Sequence, residues 1–178
     1  MLQKLLQAMS TPSLLPEATT EASPEVQGPG DCNFVGMEYY AGILNRTYLV
    51  CAEPEGILGY RVHGLVASPS FPSPNTRSPM SYVNPRLLGK YQSLTHPGMP
   101  KAALALDRAN FVYLSGTVSG VAATRAPKWG MGNVCYSGRI IFTLASGSTR
   151  EFILLGAQPL DSILGQLERL TMSPSPAT

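Results

Sequence analysis

The apolar residues of this chain fall in short, β-prone runs, and glycine or proline ends almost every one of them. Seventeen glycines and sixteen prolines punctuate the sequence, while charged residues make up only 13% of it. Long surface helices need unbroken stretches with a charged outer face. The pattern therefore points to short strands joined by many turns. Residues 37–43, 47–52, 57–67, 111–114, 117–124, 139–144 and 149–155 are the strand candidates, rich in Tyr, Ile, Val, Leu and Phe. A further short strand is read at 102–106. Asn45-Arg46 is taken as the tight turn of a first hairpin, Glu53-Pro54-Glu55-Gly56 as a second turn, and Ala145-Ser146-Gly147-Ser148 as a hairpin connection. Gly59 and Gly64, inside a strand run, suggest a bulge or a close backbone approach.

Two stretches break the strand pattern. Residues 68–80 carry Pro69, Pro72, Pro74 and Pro79 and read as an exposed loop of polyproline character. Asn84-Pro85 then has the form of a cap followed by proline at the first helical position, opening a short helix to about Leu94. The second break is C-terminal. After Pro159, Leu160, Ile163, Leu164, Leu167 and Leu170 line one helical face, with Asp161, Gln166, Glu168 and Arg169 on the other. Asp161 in the first turn and Arg169 in the last suit the helix dipole.

The N-terminal residues differ in kind from the rest. Leu2, Leu5, Leu6 and Met9 stand at helical spacing and give one apolar face, too short to persist alone in water and hence a candidate partner-docking helix. Residues 10–30 shift to Ser, Thr, Pro, Glu and Gly, a composition that buries too little to offset chain entropy. The expected organisation is a tail at 1–30, one β-rich domain at 31–172 with an insertion at 68–101, and a frayed end at 173–178.

The stretch Gly138-Arg139-Ile140-Ile141-Phe142-Thr143-Leu144 through Glu151-Phe152-Ile153-Leu154-Leu155, followed by the helix at 159–170, resembles the last strands and closing helix of pleckstrin-homology-like barrels. The resemblance implies an α+β fold, mainly antiparallel β: a small barrel or strongly curved sheet with the C-terminal amphipathic helix covering one open end. Lipid-binding members carry a Lys/Arg cluster near the first hairpin. Only Arg46 stands there, so phosphoinositide binding is not implied.

Function is constrained more by what is missing. A net charge of +2 without a Lys/Arg run gives no footprint for nucleic acid. No run approaches the ~20 apolar residues of a membrane span. Three cysteines, Cys32, Cys51 and Cys135, are widely spaced from each other and from His63 and His96, which argues against a structural metal and for reduced thiols in a cytoplasmic protein. The sequon Asn45-Arg46-Thr47 reads as chance. No nucleotide fingerprint or cofactor motif is present, and the one thinkable dyad, Cys51 or Cys135 with His63, requires adjacent pairing of their strands.

The segment that stands out is Arg125-Ala126-Pro127-Lys128-Trp129-Gly130-Met131-Gly132-Asn133, with the single tryptophan between two cations and two glycines. Trp129 is either an exposed hot spot flanked by Arg125, Lys128 and Met131, or a cover folded over a barrel end. Tyr39 and Tyr40 are adjacent on a strand, so one of them points away from the core and can border a groove. The sequence thus suggests a non-catalytic protein-binding module with a protein partner. The alternatives are a small-molecule or lipid carrier and a thiol enzyme or hydrolase.

Overall fold

Seven strands and three helices absorb these runs in a computed structural model, which describes residues 32–40, 44–66, 76–91, 99–131 and 134–172. The strands are β1 (Cys32–Tyr40), β2 (Leu44–Glu53), β3 (Gly56–Val66), β4 (Phe111–Leu114), β5 (Val118–Thr124), β6 (Tyr136–Leu144) and β7 (Thr149–Leu155). The helices are α1 (Pro85–Tyr91), α2 (Met99–Leu106) and α3 (Leu160–Met172). All strand pairs are antiparallel, in the order β4-β3-β2-β1-β7-β6-β5, and the sheet curls strongly into a half-barrel. The α+β, mainly β architecture with a closing C-terminal helix is therefore the one found.

Period-2 patterning gives the sheet two buried faces. Phe34, Tyr48, Val50, Phe142, Phe152 and Leu154 point to the side covered by α3, which lays Leu160, Ile163 and Leu167 over them. Val35, Met37, Leu49, Leu58, Tyr60 and Ile153 point to the other, covered by Tyr82, Val83 and Tyr91 of the segment that follows the proline-rich stretch. That segment is fastened by polar groups. Asn84 donates its N–H to the Val62 carbonyl at 2.8 Å, and the Tyr91 hydroxyl donates to the Arg61 carbonyl and to Asn110 Oδ1, each at 3.1 Å. Asn84 Oδ1 accepts the Arg86 N–H at 3.0 Å, the cap that Asn84-Pro85 foretells.

Gly59 lies opposite Phe111 in the β3–β4 ladder, and a Cβ there would overlap the Phe111 ring. The glycine is the close approach expected of it. The seam between β1 and β7 is short: Gly36↔Leu154 and Met37↔Ile153 are its Cα pairs. Gln158 extends it, its Oε1 accepting the Val35 N–H at 2.9 Å and its Nε2 donating to the Val35 carbonyl at 2.8 Å.

Three sequence readings need correction. Asn45 and Arg46 are strand residues opposite Tyr39 and Glu38, so the first hairpin turns earlier. Asn45 is buried, which removes the sequon from reach. Residues 102–106 belong to α2 rather than to a strand, in keeping with an Ala/Leu composition that favours helix. The helix opened by Pro85 is found over Pro85–Tyr91, and its expected end near Leu94 lies outside the described residues. Finally, Cys51 is disulfide-bonded, not a reduced thiol, and the ladder sets Cys32 opposite it; Cys135 is free.

Candidate protein-binding site

The β5–β6 connection begins where β5 runs out at Thr124, whose Oγ1 accepts the Ala126 N–H at 3.1 Å. Pro127 fixes φ and the chain then turns back across the sheet. Two anchors hold the turn. Met131 is buried among Tyr39, Ile153 and Tyr136 on the second face. Lys128 Nζ donates to Glu151 Oε2, and Glu151 Oε1 accepts from Arg139 Nη1 at 2.6 Å. Gly130 has φ +86°, and a Cβ on it would sit 2.5 Å from the Tyr39 hydroxyl oxygen. Only glycine fits a left-handed turn pressed onto that ring.

This framework leaves Trp129 at 89% exposure. Of the two positions open to it from sequence, it takes the outward one and covers nothing. Arg125 reaches Asp161 at 2.7 Å in an ion pair that is itself solvent-exposed. Burial pushes the Glu151 carboxyl up, but hydrogen bonds and charge from Lys128 and Arg139 outweigh it and hold the group below its ordinary value.

Beside the turn, where β1 and β7 diverge from their seam, a cleft of about 150 Å³ opens between Glu38, Tyr39, Lys128, Thr149, Arg150 and Glu151. Its floor is a buried ion pair. Arg150 Nη2 donates to Glu38 Oε2 at 2.8 Å, Nε donates to Glu38 Oε1, and Nη1 donates to the Tyr113 hydroxyl at 3.1 Å. The guanidinium also lies 3.7 Å over the Phe111 ring. Burial acts against the Arg150 charge, yet Glu38 more than compensates and raises its pKa further.

The candidates named from sequence are thus only partly assembled. Lys128, Trp129 and Tyr39 meet at one surface, Arg125 stands beside it, and Met131 is an anchor beneath the turn rather than a contact. The Tyr40 side chain and the face of Leu2, Leu5, Leu6 and Met9 lie outside the described residues. Sequence reasoning missed Glu38, Arg150 and Glu151, although charges inside apolar strand runs are a signal, since buried charges are nearly always paired. The Cys51–His63 dyad does not form: His63 pairs with Thr47 and Cys51 with Leu58, five β3 residues apart. Cys51 moreover holds no free thiol. Among the described residues no group of His, Cys, Asp or Glu could hold a metal ion, and no helix is long and apolar enough to cross a membrane.

The fold and site together define a curled seven-stranded sheet closed by a helix, presenting one aromatic residue on a pinned turn. No protein-family model, curated protein or solved structure matches this chain.

Proposed function

We propose that the chain is a non-catalytic protein-interaction module whose contact surface centres on Trp129 and the neighbouring cleft. The observation that carries this reading is a tryptophan held almost fully in solvent by a turn whose two flanks are fixed. Tryptophan is the residue most enriched at interface hot spots, and a rigid mount lowers the entropy cost of using it. The two cations beside it are each paired with a carboxylate, which cancels the attraction an anionic membrane or polynucleotide would need. A carrier role has less support, because α3 fills one face of the sheet with Leu160, Ile163 and Leu167. The N-terminal face of Leu2, Leu5, Leu6 and Met9 serves as a second, tethered docking element.

The test is quantitative affinity purification of the full chain beside Trp129→Ala and Leu5→Glu/Leu6→Glu variants. A hot spot of ~2 kcal/mol lowers recovery of a true partner about thirtyfold in the tryptophan variant. Its thermal unfolding stays within about 0.5 kcal/mol of the parent, since an exposed side chain supports no packing. Identical partner sets from all three chains would defeat the proposal.

A further inference from the structure

We infer that helix α2 and the cations around it form a docking surface for an anionic lipid bilayer, one that does not depend on the role proposed for Trp129. The first observation is an apolar helix left in solvent. Four large apolar side chains are exposed among the described residues. Besides Trp129 they are Leu104 at 44% and Leu106 at 47% on α2, and Leu114 on β4, the strand that α2 rests on. Ala102 and Ala105 of α2 are exposed as well. At about 100° per residue, positions 102, 104, 105 and 106 look out around the helix rather than along one side. A helix that is apolar all round is normally buried. Exposed apolar ground of this kind marks an interaction surface.

The second observation is charge. Residues 85–108 contain Arg86, Lys90, Lys101 and Arg108 and a single carboxylate, Asp107. Four cations against one carboxylate give +3, so the rest of a chain with a total of +2 sums to −1. Asp107 is already engaged, accepting from Arg61 Nε at 2.8 Å. Arg86 and Arg108 are exposed and stand in no ion pair among the described residues. The cations also lie near one another. The charge of Lys90 is felt by the Asp107 carboxyl, which sets the end of α1 beside the end of α2. The Tyr91 hydroxyl ties the same junction, donating to Asn110 Oδ1 at 3.1 Å. Arg86 is four residues before Lys90 and shares its face of α1.

Together the two observations select the occupant. Stable attachment to a bilayer takes two signals, apolar insertion and a basic cluster, because neither suffices alone. This surface carries both. Headgroup phosphates and carboxylates meet the cations, while the acyl boundary receives Leu104 and Leu106. A bilayer also needs no groove shaped to fit a protruding helix. A second copy docked through the same patch would set like charges face to face. A polynucleotide would leave the leucines in water.

The experiment is flotation of the full chain with vesicles of phosphatidylcholine alone, or with about one-third phosphatidylserine. The parent should bind the phosphatidylserine vesicles at least tenfold more tightly. That preference should vanish near 1 M salt, where the Debye length falls to about 3 Å. Arg86→Gln/Arg108→Gln should bind about twenty-fivefold more weakly, since each cation near an anionic surface is worth about fivefold. Leu104→Ser/Leu106→Ser keeps every cation and should still lose at least about tenfold. Thermal unfolding checks that both variants fold, and the arginine variant alters no packed side chain. Equal binding to the two lipids, or undiminished binding of either folded variant, would overturn the inference. So would a chain that ignores phosphatidylserine vesicles but loses a captured protein in Leu104→Ser/Leu106→Ser, because the patch would then belong to a protein partner.

Discussion

Replacing Gly59 by alanine tests the packing that holds the half-barrel together. The added Cβ would overlap three carbons of the Phe111 ring, the farthest of them, Cδ1, at only 2.5 Å. Carbon atoms rest at about 3.5–4 Å, so the ring must retreat by more than 1 Å. It has nowhere easy to go. Tyr48, Phe152 and Tyr113 pack around it with centroids at 5.4, 5.5 and 5.0 Å, and the Arg150 guanidinium lies over its face. Overpacking of this kind costs about 1–3 kcal/mol, and a weakened, partly desolvated cation–π contact adds about 1 kcal/mol. Against that, alanine in a strand gains about 0.5–1 kcal/mol over glycine in backbone entropy. The net expectation is a loss of about 2 kcal/mol, a fall in Tm of roughly 6 °C for a domain of this size. Urea unfolding followed by circular dichroism should show a lower midpoint with an unchanged slope. Introducing Phe111→Leu into the Gly59→Ala chain frees the space, so the double variant should lose at least about 1 kcal/mol less than the two single losses combined. A Gly59→Ala chain within about 0.5 kcal/mol of the parent, or strictly additive losses, would refute the reasoning.

Three further outcomes are expected. Glu38→Gln leaves the Arg150 charge buried without its partner carboxylate and should cost about 3 kcal/mol by chemical denaturation. Acidification should weaken the fold through Glu151 and Asp107. In each, burial raises the pKa, but Lys128 and Arg139 at the first, and the Ala109 N–H and Arg61 at the second, more than reverse it. A carboxyl lowered in the folded state contributes stability that is complete above its unfolded pKa and is lost as pH falls through the folded one. The decline should therefore start near pH 4.5, and a Glu151→Gln chain should show a shallower acid profile in pH-dependent urea unfolding. Alkylation of the unfolded, unreduced chain should modify Cys135 alone, and reduction should expose the remaining thiols to mass spectrometry. Three adducts without reductant would show the Cys51 bond open, as a cytoplasmic location requires.

The C-terminal third was the most legible part of the chain. The apolar, β-prone run from Thr149 to Leu155 and the leucine stripe after Pro159 are each unbroken by proline, and β7 and α3 occupy those stretches. The first hairpin was not legible for a physical reason. Asn45-Arg46 is a turn dipeptide by local chemistry, yet the ladder with Tyr39 and Glu38 on one side and β3 on the other overrides that preference. At 102–106 the helix-forming Ala and Leu did carry the signal, and reading them as a strand gave too little weight to composition. The Glu38–Arg150 pair joins residues 112 positions apart, a distance across which no spacing rule operates. Trp129 could be singled out by type but not placed, because its exposure depends on where Met131 and Lys128 find their partners in the folded sheet.

The short seam between β1 and β7 has a consequence for how the molecule could be divided. Strands β1 to β4 come from one uninterrupted stretch of chain and β5 to β7 with α3 from the next, linked only by the turn Ser115–Thr117, where Gly116 is exposed with φ +81°. The core under α3 is split between them: Phe34 and Tyr48 come from the first, and Phe142, Phe152, Leu160, Ile163 and Leu167 from the second. The other face is drawn mostly from the first stretch, with Met131, Ile153 and Leu155 added by the second. Cut at Gly116, the protein becomes two fragments whose interface is the core under α3. That core would be completed only when the two meet, at a rate set by their concentrations rather than by the chain.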